Sequence, residues 1–191
     1  MVVKPVSPTA LNGLLWLAWG VFWFVASPFV KNDKVSERMS RRLHYMIPMV
    51  VGFFLVFQRL TPGSIHGQLY YSHGIDISGN LLTLGGLVLS VWARIRLGRN
   101  WSGHINLKEG HKLIRTGPYR FVRHPIYTGM SAAAAGSAMT AATGGAYVGL
   151  ALIFIAILIK IRREERIMLS EFGEEYQRFK QEAASLLPFV F

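Results

Sequence analysis

Cysteine is absent from the 191-residue sequence, and acidic side chains are scarce. Without cysteine the chain has no disulfide, no thiolate metal site and no cysteine nucleophile. Its 10 Asp and Glu stand against 21 Lys and Arg, which gives a formal net charge of +11. In a soluble protein this excess would indicate a nucleic acid partner. Here the positive-inside rule explains the cations beside apolar runs, so we expect no nucleic acid partner.

Several motifs that carry common chemistries are missing as well. The sequence has no P-loop, no dinucleotide-binding glycine fingerprint, no serine nucleophile elbow and no HExxH zinc motif. His104, His111 and His124 are spaced too widely for one helix to present two metal ligands on one face. Although Glu164 or Glu165 would add an oxygen ligand to such a set, we expect no metal site.

Long apolar runs dominate what remains. Hydrophobic residues make up 51% of the chain, charged residues only 16%, and mean hydropathy is +0.31, values that indicate an integral membrane protein. Five runs are close to the length of about 20 residues that crosses a hydrocarbon core as a helix. We therefore predict one all-α membrane domain, residues 1–191, with five transmembrane helices. The predicted spans are 11–28, 43–60, 75–95, 125–142 and 146–161.

The distribution of charge predicts the orientation. Only Lys4 precedes the first run and several cations follow it, the reverse of a signal peptide, so we predict that this run is retained as a helix. The loop at 61–74 contains no Lys or Arg, whereas the loop at 94–123 contains many and a single acid, Glu109. This alternation predicts an external N-terminus and a cytoplasmic C-terminus. The short loops favour a prokaryotic cytoplasmic membrane.

Small residues in the third and fourth helices indicate close helix contact. Gly79, Gly85 and Gly86 lie in the third helix, and we expect them to admit a neighbouring backbone. The fourth helix repeats small residues at intervals of four: Gly129, Ala133, Ser137 and Ala132, Gly136, Thr140.

Two cytoplasmic polar segments, 98–124 and 160–185, are left to carry chemistry. Pro125 suits the first turn of the fourth helix and ends the preceding loop. Free backbone N–H groups near Ile126 and Tyr127 would then bind a carboxylate or phosphate. The alternative is a helix start that is simply anchored at the membrane interface.

The second segment contains the acid pair Glu164 and Glu165 among Lys and Arg residues. These carboxylates either neutralise neighbours on a solvated helix or bind a cationic ligand or ribose hydroxyls beside a cavity. The residues alone therefore predict a pocket between the loop before the fourth helix and the C-terminal amphipathic helix, with an anion-binding side and a carboxylate side.

Two motifs in fixed order carry a family resemblance. The first is GPYxxxRHPxY at 117–127, and the second comprises Glu164-Glu165, Leu169, Phe172-Gly173 and Tyr176. Together they resemble the isoprenylcysteine carboxyl methyltransferase family and its phospholipid methyltransferase relatives, with this chain as a prokaryotic member. The similarity covers roughly Trp101 to the C-terminus.

The resemblance implies an integral membrane enzyme that binds S-adenosylmethionine at its cytoplasmic face, releases S-adenosylhomocysteine and methylates a lipophilic acceptor of isoprenylcysteine type among membrane lipids. Carried over by position, the expected cofactor-binding residues are His111, Lys112, Leu113, Ile114, Tyr119, His124, Pro125, Ile126, Tyr127 and Glu164.

Three further residues are predicted as catalytic. Lys160 falls where the eukaryotic members have an arginine that is implicated in holding the prenylcysteine. With Arg163 it would favour an anionic acceptor, and Glu165 is the one obvious candidate for a base. A carboxylate acceptor needs no base, whereas an amine must first lose a proton. The alternatives are an amine acceptor of the phosphatidylethanolamine type, a nicotinamide-dependent enzyme like the sterol reductases, or a non-catalytic membrane scaffold.

Overall fold

The computed structural model describes residues 7–27, 33–36, 39–58, 69–70, 72–98, 101, 106–108 and 113–187. Five long helices dominate them: α1 (Pro8–Ala26), α2 (Met39–Phe57), α3 (His73–Leu97), α4 (Pro125–Ala141) and α5 (Gly144–Glu182). A 3₁₀ helix lies at Gly117–Arg120. Two short antiparallel strands, β1 (Asp33–Ser36) and β2 (Asn106–Lys108), pair the loop after α1 with the loop after α3. The predicted all-helical class with five helices is confirmed, and the strand pair is an addition that the sequence did not predict.

A tight turn joins α4 to α5. Ala142 has a left-handed backbone with φ of 52°, and its N–H donates to the Ala138 carbonyl, which closes α4. Thr143 then caps α5, because its side-chain oxygen accepts the Ala146 N–H at 3.1 Å. These two caps reverse the chain and make α4 and α5 a helical hairpin.

Helix α5 is much longer than a membrane span. Its part before the kink at Gly173 is about 43 Å long, whereas a hydrocarbon core is about 30 Å thick. The apolar first part therefore continues without a break into the polar part that carries Glu164. Gly173 alone departs from helical geometry, with φ of 50° and ψ of −122°, a backbone conformation that glycine adopts without the strain of a Cβ.

The exposed surface of the helices is apolar, as lipid contact requires. Helices α1, α3 and α5 are each long and apolar enough to cross a membrane, and outward side chains such as Phe24 are as much as 80% exposed. Helix α4 has only 17 residues, and α2 begins near Arg41 and Arg42, which lower its hydropathy. The chain is an integral membrane protein, and passage of all five helices across the bilayer stays a prediction.

Glycine contacts bring the helices together in two pairs. A Cβ added at Gly86 would collide with the Gly129 carbonyl and lie 2.6 Å from the Ala133 nitrogen. Gly79 with Gly136 makes a second contact between α3 and α4, one heptad away. Since Gly52 and Gly149 make the same contact between α2 and α5, backbone meets backbone at each crossing. Gly85, which we also expected at a helix contact, would meet no atom within 4 Å, so that expectation was wrong.

Helix α1 is fastened to this core by polar side chains on one face. The hydrogen bonds run from Asn12 to Thr83 at 3.0 Å, from Trp16 to Ser137 at 2.9 Å and from Trp19 to Ser90 at 2.7 Å. Between helices in lipid, such bonds replace the hydrophobic attraction that is lacking there. The last turn of α1 thereby comes to lie beside the loop that precedes α4.

We predict that Gly86→Ala destabilises the protein and that Gly85→Ala does not. The new methyl group at position 86 would press on backbone atoms, and overpacking of this kind costs about 1–3 kcal/mol. At position 85 the space is open, and alanine favours the helix by up to about 1 kcal/mol. Thermal unfolding in detergent would compare the two variants, and equal melting temperatures would contradict the close contact.

Candidate active site at the start of α4

Backbone hydrogen bonds fasten the loop before α4 to the segment after α5, residues 183–186. The Arg123 N–H donates to the Ala184 carbonyl at 2.8 Å, and the His124 N–H donates to the Ser185 carbonyl at 3.2 Å. A return bond from the Ala184 N–H completes a short parallel bridge. The loop with the first sequence motif is therefore bound to the residues that directly follow α5, and α5 carries the second motif.

Tyr127, in the first turn of α4, joins the two motifs directly. Its hydroxyl donates a 2.5 Å hydrogen bond to Glu164 Oε1. The His124 ring stacks on the Tyr127 ring with 5.8 Å between centroids, and His124 Nδ1 lies 3.6 Å from Glu164 Oε2. The structure thus brings three predicted cofactor residues into one group, which we call the Glu164 cluster (His124, Tyr127, Glu164).

Glu165 points into a network of cations. Its Oε1 lies 2.9 Å from Arg123 Nη2 and 3.3 Å from His124 Nε2, and its Oε2 lies 3.2 Å from Lys180 Nζ. Burial by itself would raise the pKa of Glu165, but the hydrogen bond with His124 and the charge of Arg123 lower it to about 2. Glu165 is therefore ionised at neutral pH, where it is a weak base.

The other two residues that we predicted as catalytic lie where α2 meets α5. Lys160 Nζ is 5.4 Å from the centroid of the Tyr127 ring, at the border of the Glu164 cluster. The Arg163 guanidinium donates to the Arg41 carbonyl at the start of α2. The ring of Tyr45, from α2, faces both cations.

The predicted cofactor residues of the loop divide between two apolar groups. Tyr119 and Ile126 are buried with Ala93, and Ile114 and Trp101 pack against them. Burial raises the pKa of the Tyr119 hydroxyl well above its usual range, and nearby Glu164 adds to the effect. Leu113 belongs to the second apolar group, where it packs against Tyr176, Phe179 and Ala183. His111 and Lys112 lie outside the described residues.

Pro125 is fully buried and begins α4 as expected. The first turn of this helix contains no acidic residue, and the His124 side chain makes no capping hydrogen bond. The start of α4 thus matches the prediction in its geometry, and binding of an anion by its backbone N–H groups stays a prediction. Among the described residues no three His, Asp or Glu side chains converge on a point where they would hold a metal ion.

An apolar groove of about 490 Å³ lies between α4 and α5. It begins beside Thr128, whose hydroxyl donates to the Leu186 carbonyl at 2.6 Å, and runs to Tyr147. No predicted cofactor residue lines it, so it is distinct from the predicted pocket. Its other lining residues include Ser131, Ala132, Ala135, Leu150, Ala151, Phe154 and Leu187.

Sequence reasoning missed three residues of this region: Arg123, Tyr45 and Lys180. Arg123 stands inside the first motif, but the positive-inside bias already explained its charge. Tyr45 and Lys180 carry no sequence signal, because they reach the site only through the packing of α2 and of the last turns of α5.

We predict that Glu165 stabilises the fold in a pH-dependent way. Because its folded pKa is about 2, below the usual 4.5, its ion pairs contribute fully above about pH 4.5 and are lost as pH falls through about 2. Glu165→Gln should therefore melt lower than wild type at neutral pH, and the difference should shrink towards pH 2. Thermal unfolding across this range measures it, with Glu174→Gln, in an exposed pair with Arg178, as the control. A difference that does not vary with pH would contradict the prediction.

Comparison with known proteins gives matches to methyltransferases. The sequence model of the Isoprenylcysteine carboxyl methyltransferase (ICMT) family matches residues 80–170. The probable protein-S-isoprenylcysteine O-methyltransferase of Oryza sativa subsp. indica is 29% identical over 140 residues, which are 72% of this chain and 73% of that protein. Methanethiol S-methyltransferase 1 of Bradyrhizobium diazoefficiens is 42% identical over 71 residues, which are 37% of this chain and 24% of that protein.

The fold is similar to a solved structure as well. The eukaryotic intramembrane Ras methyltransferase ICMT superposes with a TM-score of 0.62 at 20% identity, over 99% of this chain and 70% of that one. The residues that the family model matches include the contact of Gly86 with Gly129 and the whole Glu164 cluster. Over residues 80–170 the chain is therefore similar to the isoprenylcysteine carboxyl methyltransferase family.

Proposed function

We propose that this enzyme transfers the methyl group of S-adenosylmethionine to a carboxylate on a lipophilic acceptor of isoprenylcysteine type, at the cytoplasmic face of the membrane. The Glu164 cluster carries the proposal, because the two motifs of the family meet there through the bond from Tyr127 to Glu164. The cluster lies at the end of α4 that charge distribution predicts to be cytoplasmic.

The groups of the site match those of S-adenosylmethionine. This molecule has a carboxylate, an ammonium group, ribose hydroxyls, an adenine ring and a sulfonium. The backbone N–H groups of Ile126 and Tyr127 would bind the carboxylate, since no acidic side chain occupies that turn. Glu164 would accept hydrogen bonds from the hydroxyls or the ammonium group. The apolar wall at Tyr119 and Ile114 would cover the adenine, and His111 and Lys112 stay predicted contacts.

When bound, S-adenosylmethionine supplies a methyl group that its sulfonium already activates. The residues of this chain then have to orient the acceptor in line with that group and exclude water, which lowers the barrier by several kcal/mol. Tyr119 and His124 are 6% and 9% exposed, so the walls of the site are already dry. Residues 121–124 do not need to fold on binding, because backbone hydrogen bonds to residues 184–185 hold them in place.

Charge favours a carboxylate over an amine as the acceptor group. Lys160 borders the Glu164 cluster, Arg163 lies with it against the Tyr45 ring, and both cations would attract an anion. An amine such as that of phosphatidylethanolamine would have to lose a proton first, and Glu165, with a pKa of about 2, is a weak base. The relatives named above act on different acceptors, so the shared region supports methyl transfer more directly than it supports any one acceptor.

The groove between α4 and α5 supplies an apolar approach for the lipid part of the acceptor. It is lined almost entirely by carbon, and it begins beside Thr128, the residue after Tyr127. A prenyl chain in this groove would leave its polar end at the level of the Glu164 cluster.

We predict that Glu164→Ala weakens S-adenosylhomocysteine binding by about 10- to 100-fold. The reason is that a hydrogen bond to a charged group contributes about 1.5–3 kcal/mol. Isothermal titration calorimetry on the detergent-solubilised protein measures the Kd.

Glu174→Ala is the matched control, since it removes an exposed carboxylate from the same helix and should leave the Kd unchanged. Titration with NADPH tests the nicotinamide alternative in the same preparation. Wild-type binding of NADPH without binding of S-adenosylhomocysteine would overturn the proposed function.

We also predict that Ala135→Phe, which fills part of the groove, raises the KM for N-acetyl-S-farnesylcysteine, a minimal isoprenylcysteine. The expected increase is about tenfold, because one or two methylene groups in an apolar site already change substrate discrimination by this much. The cofactor Kd should not change. Ala18→Phe, on the exposed face of α1, serves as control, and equal KM values for both variants would exclude the groove from acceptor binding.

A further inference from the structure

The apolar groove between α4 and α5 has two differently built ends. At its near end the Thr128 hydroxyl donates to the Leu186 carbonyl at 2.6 Å, and the side chains of Leu186 and Leu187 line the groove. Thr128 follows Tyr127, whose hydroxyl donates to Glu164. A lipid chain whose polar end lies at the Glu164 cluster would therefore enter the groove from this end.

A tyrosine closes the far end of the groove. Tyr147, near the start of α5, lines the groove and packs against a cluster of buried alanines. Ala138 and Ala141 of α4 belong to this cluster together with Ala146 of α5. The two helices are thus in contact behind the Tyr147 ring, and the groove does not continue past it.

The position of Tyr147 is fixed by a hydrogen bond as well as by packing. Its hydroxyl is bonded to the hydroxyl of Tyr70, which precedes α3. The N–H of the adjacent Leu69 donates to the Ala142 carbonyl at 2.8 Å, so Tyr70 is held close to the turn between α4 and α5. With its ring packed and its hydroxyl paired, Tyr147 resists rotation out of the groove.

The distance between the two ends matches one prenyl chain length. From Thr128 to Ala138, one of the alanines behind Tyr147, α4 rises by about 15 Å. An extended chain advances by about 1.2 Å per single bond, so from the thioether sulfur a farnesyl group reaches about 14 Å and a geranylgeranyl group about 19 Å. A farnesyl chain would therefore fill the groove, whereas the last isoprene unit of a geranylgeranyl chain would collide with the Tyr147 ring.

We propose that Tyr147 is a specificity-determining residue, which sets farnesyl as the longest prenyl chain that the groove accommodates. The inference rests on the proposed function, since it assigns a chain length to the same acceptor. An acyl chain of a membrane phospholipid is the competing occupant of the groove. If an acyl chain filled it, the prenyl group would lie elsewhere and its length would not be measured by Tyr147.

The test compares kcat/KM for N-acetyl-S-farnesylcysteine and N-acetyl-S-geranylgeranylcysteine with the full-length protein in detergent. Wild type should favour farnesyl by about tenfold, since a few excess carbon atoms in an apolar site change discrimination by at least this much. Tyr147→Ala opens the far end and should lower the farnesyl-to-geranylgeranyl ratio by about tenfold. Tyr147→Phe keeps the ring and should keep the wild-type ratio.

The ratio also guards against loss of folding in Tyr147→Ala. A smaller fraction of active enzyme lowers both rates equally and cancels from the ratio, as does the partition of each substrate into detergent when variants are compared. Tyr147→Leu removes less volume and should give an intermediate ratio. Val148→Ala, at the next position of α5 and 56% exposed, is the matched control and should leave the ratio unchanged.

Two results would overturn the assignment of Tyr147 while the proposed function stands. One is a wild-type enzyme that methylates both prenylcysteines with equal kcat/KM, because the longer chain would then not meet the ring. The other is a Tyr147→Ala variant with the wild-type ratio, which is the result that an acyl chain in the groove would give.

Failure of the proposed function gives a different result. Wild-type protein would then bind no S-adenosylhomocysteine, or would bind it and methylate neither prenylcysteine. Methylation of phosphatidylethanolamine vesicles in their place would replace the carboxylate by an amine acceptor. Each of these results would overturn both proposals together.

Discussion

One imidazole ring between two consecutive carboxylates organises the site. Neighbouring residues on a helix diverge by about 100°, so Glu164 and Glu165 face different surroundings. His124 contacts both, with Nδ1 towards Glu164 and Nε2 towards Glu165. Glu164 in turn contacts Tyr127 and Glu165 contacts Arg123, so one ring links both carboxylates to the first motif. In a chain with only 10 acidic residues, two of them are placed at this point.

The helix contacts make this arrangement rigid. Where glycine meets glycine, helix axes come closer than larger side chains allow, and small shifts along the helix would produce collisions. The contact of Gly52 with Gly149 fixes α2 against α5, which sets where Tyr45 stands relative to Lys160. The contacts of α3 with α4 fix the first turn of α4 in the same way. Positions near the Glu164 cluster are therefore determined by contacts in the middle of the bundle.

The sequence predicts the parts of the site that depend on local rules or on the family motifs. Pro125 predicts the start of α4 because its ring fixes the backbone angle and removes a donor. The parallel bridge at Ala184 is made by backbone atoms alone, which any residue supplies, so no pattern indicates it. Adjacent glycines are equally ambiguous: Gly85 and Gly86 differ only in the side of α3 on which they lie, and the partner helix decides which one matters. Tyr45 is one aromatic residue in an apolar run, and only the packing of α2 on α5 distinguishes it.

Residues 183–186 are made by the ribosome after every other part of the site, yet they hold the loop that carries Arg123 and His124. All five helices have already been translated when this segment leaves the ribosome. A nascent chain that lacks it has both motifs but not the parallel bridge that holds the loop at Arg123 and His124. The contact of Arg123 and His124 with this segment consequently forms later in biosynthesis than the contacts among the helices.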